Sequence, residues 1–351
     1  MITIENIASI FSSVWPYLLA VFLFLFMVVI HEFGHFISAK LLGVRVNEFS
    51  VGFGPQIIKW QGKETKYSIR LIPFGGFCAM EGEDEGSKDP RAFCNKAAWK
   101  RFIIVSAGAV FNIIFGLSLM MIYFAPAGAI ATNTVASFTE NAVSQQSGLE
   151  VGDEIISIDG RNCLTVTEIG YAFSSVPDNK VDLVVKRNGV KTELKNVEFQ
   201  MEEIEGVKYF KRDFNFQYKE NTFGTFIGQS VRYTVSYGRV VWFSLVDLIR
   251  GRFSLNEVSG PVGVATALGQ AAKRGLDTLL PMLCLITVNL GVFNLLPVPA
   301  LDGGRLVFIL YEMIFRKPVS QKYESVIHGV GFLLLMLFLA FVTLKDILGF
   351  F

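Results

Sequence analysis

Long apolar stretches dominate the pattern of hydrophobic and polar positions along this chain. The first carries no charged side chain from residue 6 to residue 30 and extends, past a short polar motif, to Lys40. Three others cover residues 102–125, 279–296 and 329–344. Uncharged apolar runs of about 18 residues or more are typical of transmembrane helices. The pattern therefore predicts a polytopic α-helical membrane protein with four transmembrane helices and both termini on the same side.

A shorter, alternating pattern follows the first apolar stretch. Residues 57–60 and 65–71 flank a turn-like segment at 61–64, which predicts a β-hairpin with Tyr67, Ile69 and Leu71 on one face. Two roles fit such a hairpin: an edge strand that pairs with an extended peptide, or a purely structural element. The side-chain pattern does not separate them.

The long segment between the second and third apolar stretches is mixed. Residues 181–186 and the turn pair Asn188-Gly189 predict a β-hairpin. Residues 223–249 combine aliphatic side chains with charged and aromatic ones. This stretch lacks the uncharged length that spanning requires, so we expect an amphipathic segment on the membrane surface.

The most informative chemistry lies within the first apolar stretch, in His31-Glu32-Phe33-Gly34-His35. On a helix, residues four apart lie about 40° apart around the axis, so both imidazoles face one metal ion. Glu32 lies about 100° away around the axis and can reach a water molecule on that metal. Ionisable residues are costly inside a membrane and are functional by default. We therefore expect a metal site with Glu32 as the catalytic base.

Two histidines leave zinc one protein ligand short of the three that are usual in catalytic sites. Asp302 is the better candidate for the third ligand. It follows Pro297 and Pro299, which must interrupt a helix, and a broken membrane helix is tolerated where it lines a wet cavity. His328 is a second candidate, although such a residue is more often an interfacial polar group at the start of a helix.

The composition of the chain mainly excludes classes of function. Hydrophobic residues make up 52% of the chain, charged residues 18%, and the formal net charge is +1. This balance gives no sign of nucleic-acid binding, because such proteins carry strongly basic surfaces. The expected environment is the lipid bilayer.

The positions of Lys and Arg near the spans predict the orientation. No basic residue precedes the first span. Two other segments are rich in basic residues. The loop after the first span contains Lys40, Arg45, Lys96, Lys100 and Arg101. The segment before the fourth span contains Arg305, Arg316, Lys317 and Lys322. Both segments are expected to be cytoplasmic, so the termini and residues 126–278 are expected outside.

Two motifs together carry a family resemblance. His31-Glu32-Phe33-Gly34-His35, followed by Asn294-Leu-Leu-Pro-Val-Pro-Ala-Leu-Asp302-Gly, resembles the site-2 protease family of intramembrane zinc metalloproteases. Residues 52–55 and 73–77 are similar to the segments that flank its membrane-associated β-hairpin loop, and residues 259–263 to its motif ahead of the third span. The bacterial branch named regulator of sigma-E protease, in its form with a single PDZ domain, is the closest match.

The resemblance implies an enzyme of the bacterial inner membrane that cleaves within or near the transmembrane segments of single-span proteins. Anti-sigma factors and remnant signal peptides are expected substrates. It also implies Zn²⁺ as the cofactor, with His31, His35 and Asp302 as ligands. Asn294 is similar to a family position implicated in holding substrate. An Asn that satisfies freed backbone groups at the helix break remains the alternative.

Residues 148–160 resemble the signature of a PDZ domain. Such an extracytoplasmic domain either binds a peptide or protein segment or serves only as a spacer. The expected organisation is spans one and two with the β-hairpin loop at 1–125, the PDZ domain at 126–215, an amphipathic juxtamembrane segment at 216–278 and spans three and four at 279–351.

Two other classes of function remain open. A non-catalytic PDZ-containing membrane adaptor with a structural metal would share the histidines, but it has no use for the base Glu32. A transporter with an intramembrane metal site usually shows inverted repeats, and four spans without such repeats argue against it.

Overall fold

The computed structural model describes residues 4–83, 86–176, 178–204, 207–252 and 258–348. The chain divides into two compact units. The membrane unit comprises Met1–Leu119 and Asn256–Phe351, and the sheet unit comprises Met120–Leu255.

The helices are, in chain order, α1 (Ile4–Leu41), α2 (Ala98–Phe124), α3 (Val143–Gln146), α4 (Val166–Ser174), α5 (Phe223–Ile249), α6 (Pro261–Arg274), α7 (Leu276–Asn294), α8 (Asp302–Phe315) and α9 (Gln321–Leu348). The strands are β1 (Val46–Gln61), β2 (Lys66–Met80), β3 (Ala129–Phe138), β4 (Glu154–Ile158), β5 (Arg161–Asn162), β6 (Lys180–Arg187), β7 (Val190–Glu198), β8 (Gln200–Ile204), β9 (Val207–Lys211) and β10 (Phe214–Glu220).

Four segments of the described chain are helical, long and apolar enough to cross a membrane. They are Val14–Leu41 within α1, all of α2, all of α7 and Lys322–Leu348 within α9. These helices confirm the four predicted spans, so the chain is a polytopic membrane protein that also carries β structure. The fourth helix extends beyond the predicted 329–344 at both ends, because helical hydrogen bonding continues into polar flanks that hydropathy does not mark.

Helix α6 was not predicted from the hydrophobic pattern, and it packs against α1 and α7 in the membrane unit. It begins at the motif 259–263, with Gly260 at the N-cap and Pro261 in the first turn. The N-cap glycine has no side chain to satisfy the free amides of the first turn. Asp346 of α9 accepts a hydrogen bond from the Gly263 amide instead, at 2.8 Å. The motif therefore joins the start of α6 to the end of the fourth span.

The predicted hairpin after the first span is present, and it is more elaborate than two strands. Trp60 pairs with Tyr67 and Gln61 with Lys66, as a turn at 61–64 requires. Residues 48–51 also have partners in two stretches of β2, at 66–69 and at 76–79. We call this folded-back structure, residues 46–80, the β-loop.

Long strands can fold back in this way because glycines bend them. Gly52 and Gly54 of β1 and Gly75 of β2 have φ angles of 83°, 82° and 89°, a region that other residues rarely adopt. As a result, the stretch 66–69 has neighbours on both sides, and the free edges of the described β-loop lie at 58–61 and 76–80. Of the two roles left open for the hairpin, pairing with an extended peptide is therefore excluded at Tyr67 and Ile69 and remains open at 58–61.

The sheet unit is built on an antiparallel sheet with the strand order β10-β3-β4-β6-β7, to which β5 adds beside β4. The β8–β9 pair forms a separate two-stranded sheet. The turn between β6 and β7 places Asn188 and Gly189 at φ angles of 50° and 85°, which confirms the predicted hairpin. The core contains Leu149, Ile155 and Leu183, each at most 1% exposed.

Helix α5 is attached to the rest of the sheet unit by buried polar contacts. Asp247, which is fully buried, accepts two hydrogen bonds from the Arg161 guanidinium, at 2.8 and 2.9 Å. It also accepts one from the Tyr171 hydroxyl. Burial and this hydrogen bond raise the pKa of Tyr171 to about 12. The helix covers residues 223–249, the stretch for which the sequence predicted an amphipathic segment.

The remaining face of α5 is apolar and solvent-facing in the sheet unit. Its large exposed side chains recur at spacings of four and seven residues: Phe223, Ile227, Val231, Val235, Trp242 and Ile249. These spacings place them along one stripe of the helix. The predicted amphipathic character is therefore present.

Candidate metal centre

His31 and His35 lie one turn apart on α1 and are 6% and 8% exposed. Their Nε2 atoms are 3.2 Å apart. Asp302 brings its Oδ2 atom to 3.0 Å from Nε2 of His31 and 3.2 Å from Nε2 of His35. The three ligand atoms lie within 4.8 Å of one another, a grouping that could hold a metal ion.

The helix break after α7 explains how Asp302 reaches this position. Pro297 and Pro299 end the hydrogen-bonding pattern of α7, and α8 restarts with Asp302 as its first residue. The turn is tight: a Cβ atom on Gly303 would lie 2.0 Å from the Leu296 carbonyl oxygen. A carboxylate at the start of a helix also lies at the positive end of the helix dipole.

Helix α2 supports the cluster from the opposite side. His35 donates a hydrogen bond from Nδ1 to the Ile104 carbonyl oxygen at 2.9 Å, which leaves its Nε2 lone pair directed at the cluster. Nδ1 of His31 faces the side-chain amide of Asn112, with Nδ2 at 3.3 Å. A Cβ atom on Gly108 would lie 2.5 Å from Nε2 of His35, so only glycine leaves room for the two rings.

These contacts favour zinc as the occupant. Two imidazole nitrogens and one carboxylate oxygen are ligand types that zinc prefers, and three protein ligands leave a coordination position open for water. The hydrogen bond from His35 to Ile104 places the ring proton of His35 on Nδ1 and leaves the Nε2 lone pair free, as metal binding requires.

A cavity of about 750 Å³ opens beside the cluster. It is lined by His31, Glu32, His35 and Asp302, by residues 77–80 of β2, by Asn294 at the end of α7 and by His328 of α9. Glu32 lies next to the β-loop, because a Cβ atom on Gly76 would be 3.5 Å from its Cγ atom. The free edge at 76–80 therefore borders the same cavity as the cluster and Glu32.

Comparison with known proteins decides the family. The model of peptidase family M50 matches residues 19–338. The chain belongs to this family. It is therefore a site-2 protease, an intramembrane zinc metalloprotease, as the two sequence motifs indicated.

Relatives in this family match nearly the full length of the chain. A Clostridium perfringens protein named "Putative zinc metalloprotease" is 38% identical over 327 residues, covering 92% of this chain and 95% of the relative. "Zinc metalloprotease RasP" of Geobacillus kaustophilus is 29% identical over 411 residues, covering 93% of this chain and 96% of the relative.

The structure thus brings His31, His35 and Asp302 into one cluster and places Glu32 and Asn294 on the adjoining cavity. His328 lines that cavity too, but it does not belong to the described metal-binding group. Its Nδ1 accepts a hydrogen bond from the Ala300 amide at 3.0 Å, so it supports the loop that carries Asp302.

Sequence reasoning missed the contribution of α2 to this protease site. Gly108 and Asn112 lie within an apolar span, where an amide side chain is unusual. The amide of Asn112 could therefore have been recognised from the sequence. No sequence feature indicates the role of Gly108, since that role depends on how closely two helices approach.

Proposed function

We propose that this protease hydrolyses peptide bonds within or near the transmembrane segments of single-span membrane proteins, at a zinc ion held by His31, His35 and Asp302. The observation that carries the proposal is the convergence of these three ligand atoms, from two distant parts of the chain, beside the carboxylate of Glu32. The names of the relatives support zinc as the metal.

The chain's own residues supply the proton transfers. Bound zinc provides Lewis-acid activation of water and of the scissile carbonyl. The Glu32 carboxylate takes one proton from the attacking water and returns it to the leaving amide nitrogen. The C–N bond breaks, the hydroxyl joins the carbonyl carbon, and the nitrogen leaves as an amine.

Substrate must reach this site in extended form. A transmembrane helix hydrogen-bonds all its backbone groups internally, so its peptide bonds are shielded until it unwinds. The edge at 76–80 has no neighbouring strand on its outer side in the described β-loop, and an extended segment can add to it as a further strand. Asn294, which lines the same cavity, is suited to hold that segment through its amide.

The sheet unit supports the assignment of a PDZ domain. Its five-strand order, the short helix α3 before β4 and the helix α4 beside the sheet suit that fold, and residues 148–160 carry the resembling signature. In this arrangement β10 is an edge strand, suited to bind a peptide or protein segment of a partner. The stripe on α5 is suited to lie on the membrane surface beside it.

The basic residues around the spans support an orientation with the termini and the PDZ domain outside. The bacterial origin of the relatives supports a location in the bacterial inner membrane. The segment that carries the β-loop is then cytoplasmic, and the zinc site lies nearer the cytoplasmic face.

Glu32→Gln and His31→Ala test the function together. We expect Glu32→Gln to keep one zinc per chain and to abolish cleavage of a single-span substrate, because only the proton acceptor is lost. His31→Ala should lose both zinc and cleavage. Zinc is measured by elemental analysis of purified protein, and cleavage by fragment size in membranes.

Lys180→Ala is a matched control, because its ion pair with Glu198 is exposed and far along the chain from the cluster. It should retain zinc and cleavage. Normal cleavage by Glu32→Gln would exclude the proposed base, and full zinc in His31→Ala would exclude the proposed ligand set.

A further inference from the structure

A buried amide without a clear structural purpose lies against the zinc cluster. Asn112 is fully buried on α2, within the second span. Its Nδ2 atom lies 3.3 Å from Nδ1 of His31, and its Oδ1 atom has no hydrogen-bond partner in the described part of the chain. A buried carbonyl oxygen without a hydrogen-bond partner is destabilising, so its position calls for a function.

The tautomer of His31 indicates a function for Asn112. The Nε2 atom of His31 points at Asp302 and must keep its lone pair to bind a metal. The proton of the neutral ring then lies on Nδ1, which becomes a donor. A donor opposite the Nδ2 donor of Asn112 makes no hydrogen bond.

Rotation of the Asn112 amide by about 180° resolves both problems, since its oxygen and nitrogen have nearly the same shape. Oδ1 then accepts the hydrogen bond from Nδ1–H of His31, and the unpartnered carbonyl gains its donor. Metal binding at Nε2 therefore selects one orientation of this amide.

His35 shows the same arrangement with a different acceptor. Its Nδ1–H donates to the backbone carbonyl of Ile104, also on α2. The two histidines of α1 thus face two acceptors on α2, and only the acceptor for His31 is a side chain.

Packing holds Asn112 in position. A Cβ atom on Gly291 of α7 would lie 3.4 Å from the Asn112 Cβ atom, so the two helices are in close contact there. The Thr287 hydroxyl of α7 also donates to the Asn112 backbone carbonyl at 3.3 Å. The terminal amide group of Asn112 can rotate about the Cβ–Cγ bond, but the Cβ atom cannot move away from His31.

We propose that Asn112 is a positioning residue for the zinc centre. Its side-chain carbonyl accepts the Nδ1 proton of His31 and holds the ring with Nε2 directed at the metal. This inference rests on the proposed ligand set of His31, His35 and Asp302. Loss of such an outer partner typically costs about 10–100-fold in metal affinity.

Two substitutions at this position separate the acceptor from mere packing. Asn112→Leu keeps the number and branching of the side-chain heavy atoms and removes the acceptor, so zinc affinity should fall about 10–100-fold. Asn112→Asp keeps an acceptor and removes the amide donor, so zinc affinity should equal or exceed that of the parent. Affinity is measured by chelator competition on the purified full-length protein, and coordination by the visible absorption of the Co²⁺-loaded form.

Asn289→Leu is the matched control. This Asn also lies in a span, its buried Oδ1 likewise has no hydrogen-bond partner among the described residues, and it is not one of the residues that line the cavity. The control should bind zinc like the parent. A loss of affinity in Asn112→Leu alone, with Asn112→Asp retained, supports the proposal.

Unchanged zinc affinity in Asn112→Leu would overturn it, as would an equal loss in Asn112→Asp, which would show that the donor matters instead. If the Leu variant does not fold, Asn112→Ala removes the same acceptor without adding volume and takes its place in the comparison. His31→Ala, measured beside them, keeps the two proposals apart. Full zinc in His31→Ala refutes the ligand set, whereas loss there with no effect at Asn112 refutes only the positioning role.

Discussion

At Gly108 the backbone of α2 lies directly against both imidazoles of the zinc cluster. A Cβ atom there would lie 2.5 Å from Nε2 of His35 and 2.7 Å from Cε1 of His31. Neither ring can retreat, because each is restrained through its other nitrogen by a group on α2. Space at this single position is therefore a condition for metal binding.

Gly108→Ala should consequently lose zinc. One added methyl group must displace the ligand nitrogens, so we expect less than about a tenth of the parent's zinc affinity, in line with the disruption of other supporting groups. Gly228→Ala on α5 is the control, since nothing lies within 4 Å of its added Cβ atom. Elemental analysis of both variants gives the comparison, and a fully loaded Gly108→Ala would contradict the steric argument.

The sequence revealed the residues whose chemistry is unusual for their surroundings. His31, Glu32 and Asp302 are ionisable groups in or beside apolar stretches, and their spacing alone suggested a metal and a base. Gly108 and the Ile104 carbonyl could not be recognised in this way. A glycine and a backbone oxygen acquire their roles only from the crossing of α1 and α2, which the pattern of one helix does not encode.

At the scale of secondary-structure elements, the β-loop presents two free edges with different surroundings. The edge at 76–80 lines the cavity beside Glu32, whereas residues 58–61 are absent from the lining of that cavity. Strand addition by a substrate is therefore expected at one edge only.

Proline substitution can distinguish the edges, because proline removes a backbone donor and is tolerated mainly on edge strands. The Met80 amide donates to the Glu83 side chain and the Glu81 amide to the Arg45 carbonyl, so by alternation the Ala79 amide faces β1 and the Cys78 amide faces outward.

Cys78→Pro should therefore reduce cleavage at least several-fold while zinc content stays at the parent level. Lys59→Pro, on the exposed stretch of the other edge, should leave cleavage nearly unchanged. The assay is cleavage of a single-span substrate in membranes, with zinc content as the check on folding. Equal effects of the two substitutions would argue against docking at 76–80.

Elements were predictable where hydrophobicity alone defines them. The four spans and the β6–β7 hairpin follow from apolar length and from the Asn188-Gly189 turn. The fold-back of β1 was not predictable, because it depends on the bends at Gly52 and Gly54 and on pairing between distant stretches. Helix α6 was also missed, since its start is capped by Asp346, which lies more than 80 residues later in sequence.

At the scale of the whole molecule, orientation across the membrane is the property that the basic residues predict. The native cysteine of the sheet unit is a poor reporter of it. Cys163 is only 6% exposed, and burial raises the pKa of its thiol to about 12. Because the thiolate is the reactive form, labelling at Cys163 would be slow on either side of the membrane.

Cysteines introduced at exposed positions give a direct test. We expect Lys219→Cys on β10 to react with a membrane-impermeant maleimide in intact cells whose outer envelope has been permeabilised. Lys88→Cys, in the segment after the β-loop, should react only after the membrane is broken. Replacement of Cys94 by Ser in both variants removes a partly exposed native thiol. The reverse labelling pattern would place the zinc site nearer the outer face.

The position of Asp302 in the chain also has a consequence for biosynthesis. Asp302 lies 271 residues after His31, so both histidines are translated long before the proposed third ligand. A chain that ends before Asp302 has only two of the three proposed protein ligands, and we expect it to bind zinc weakly and to cleave no substrate.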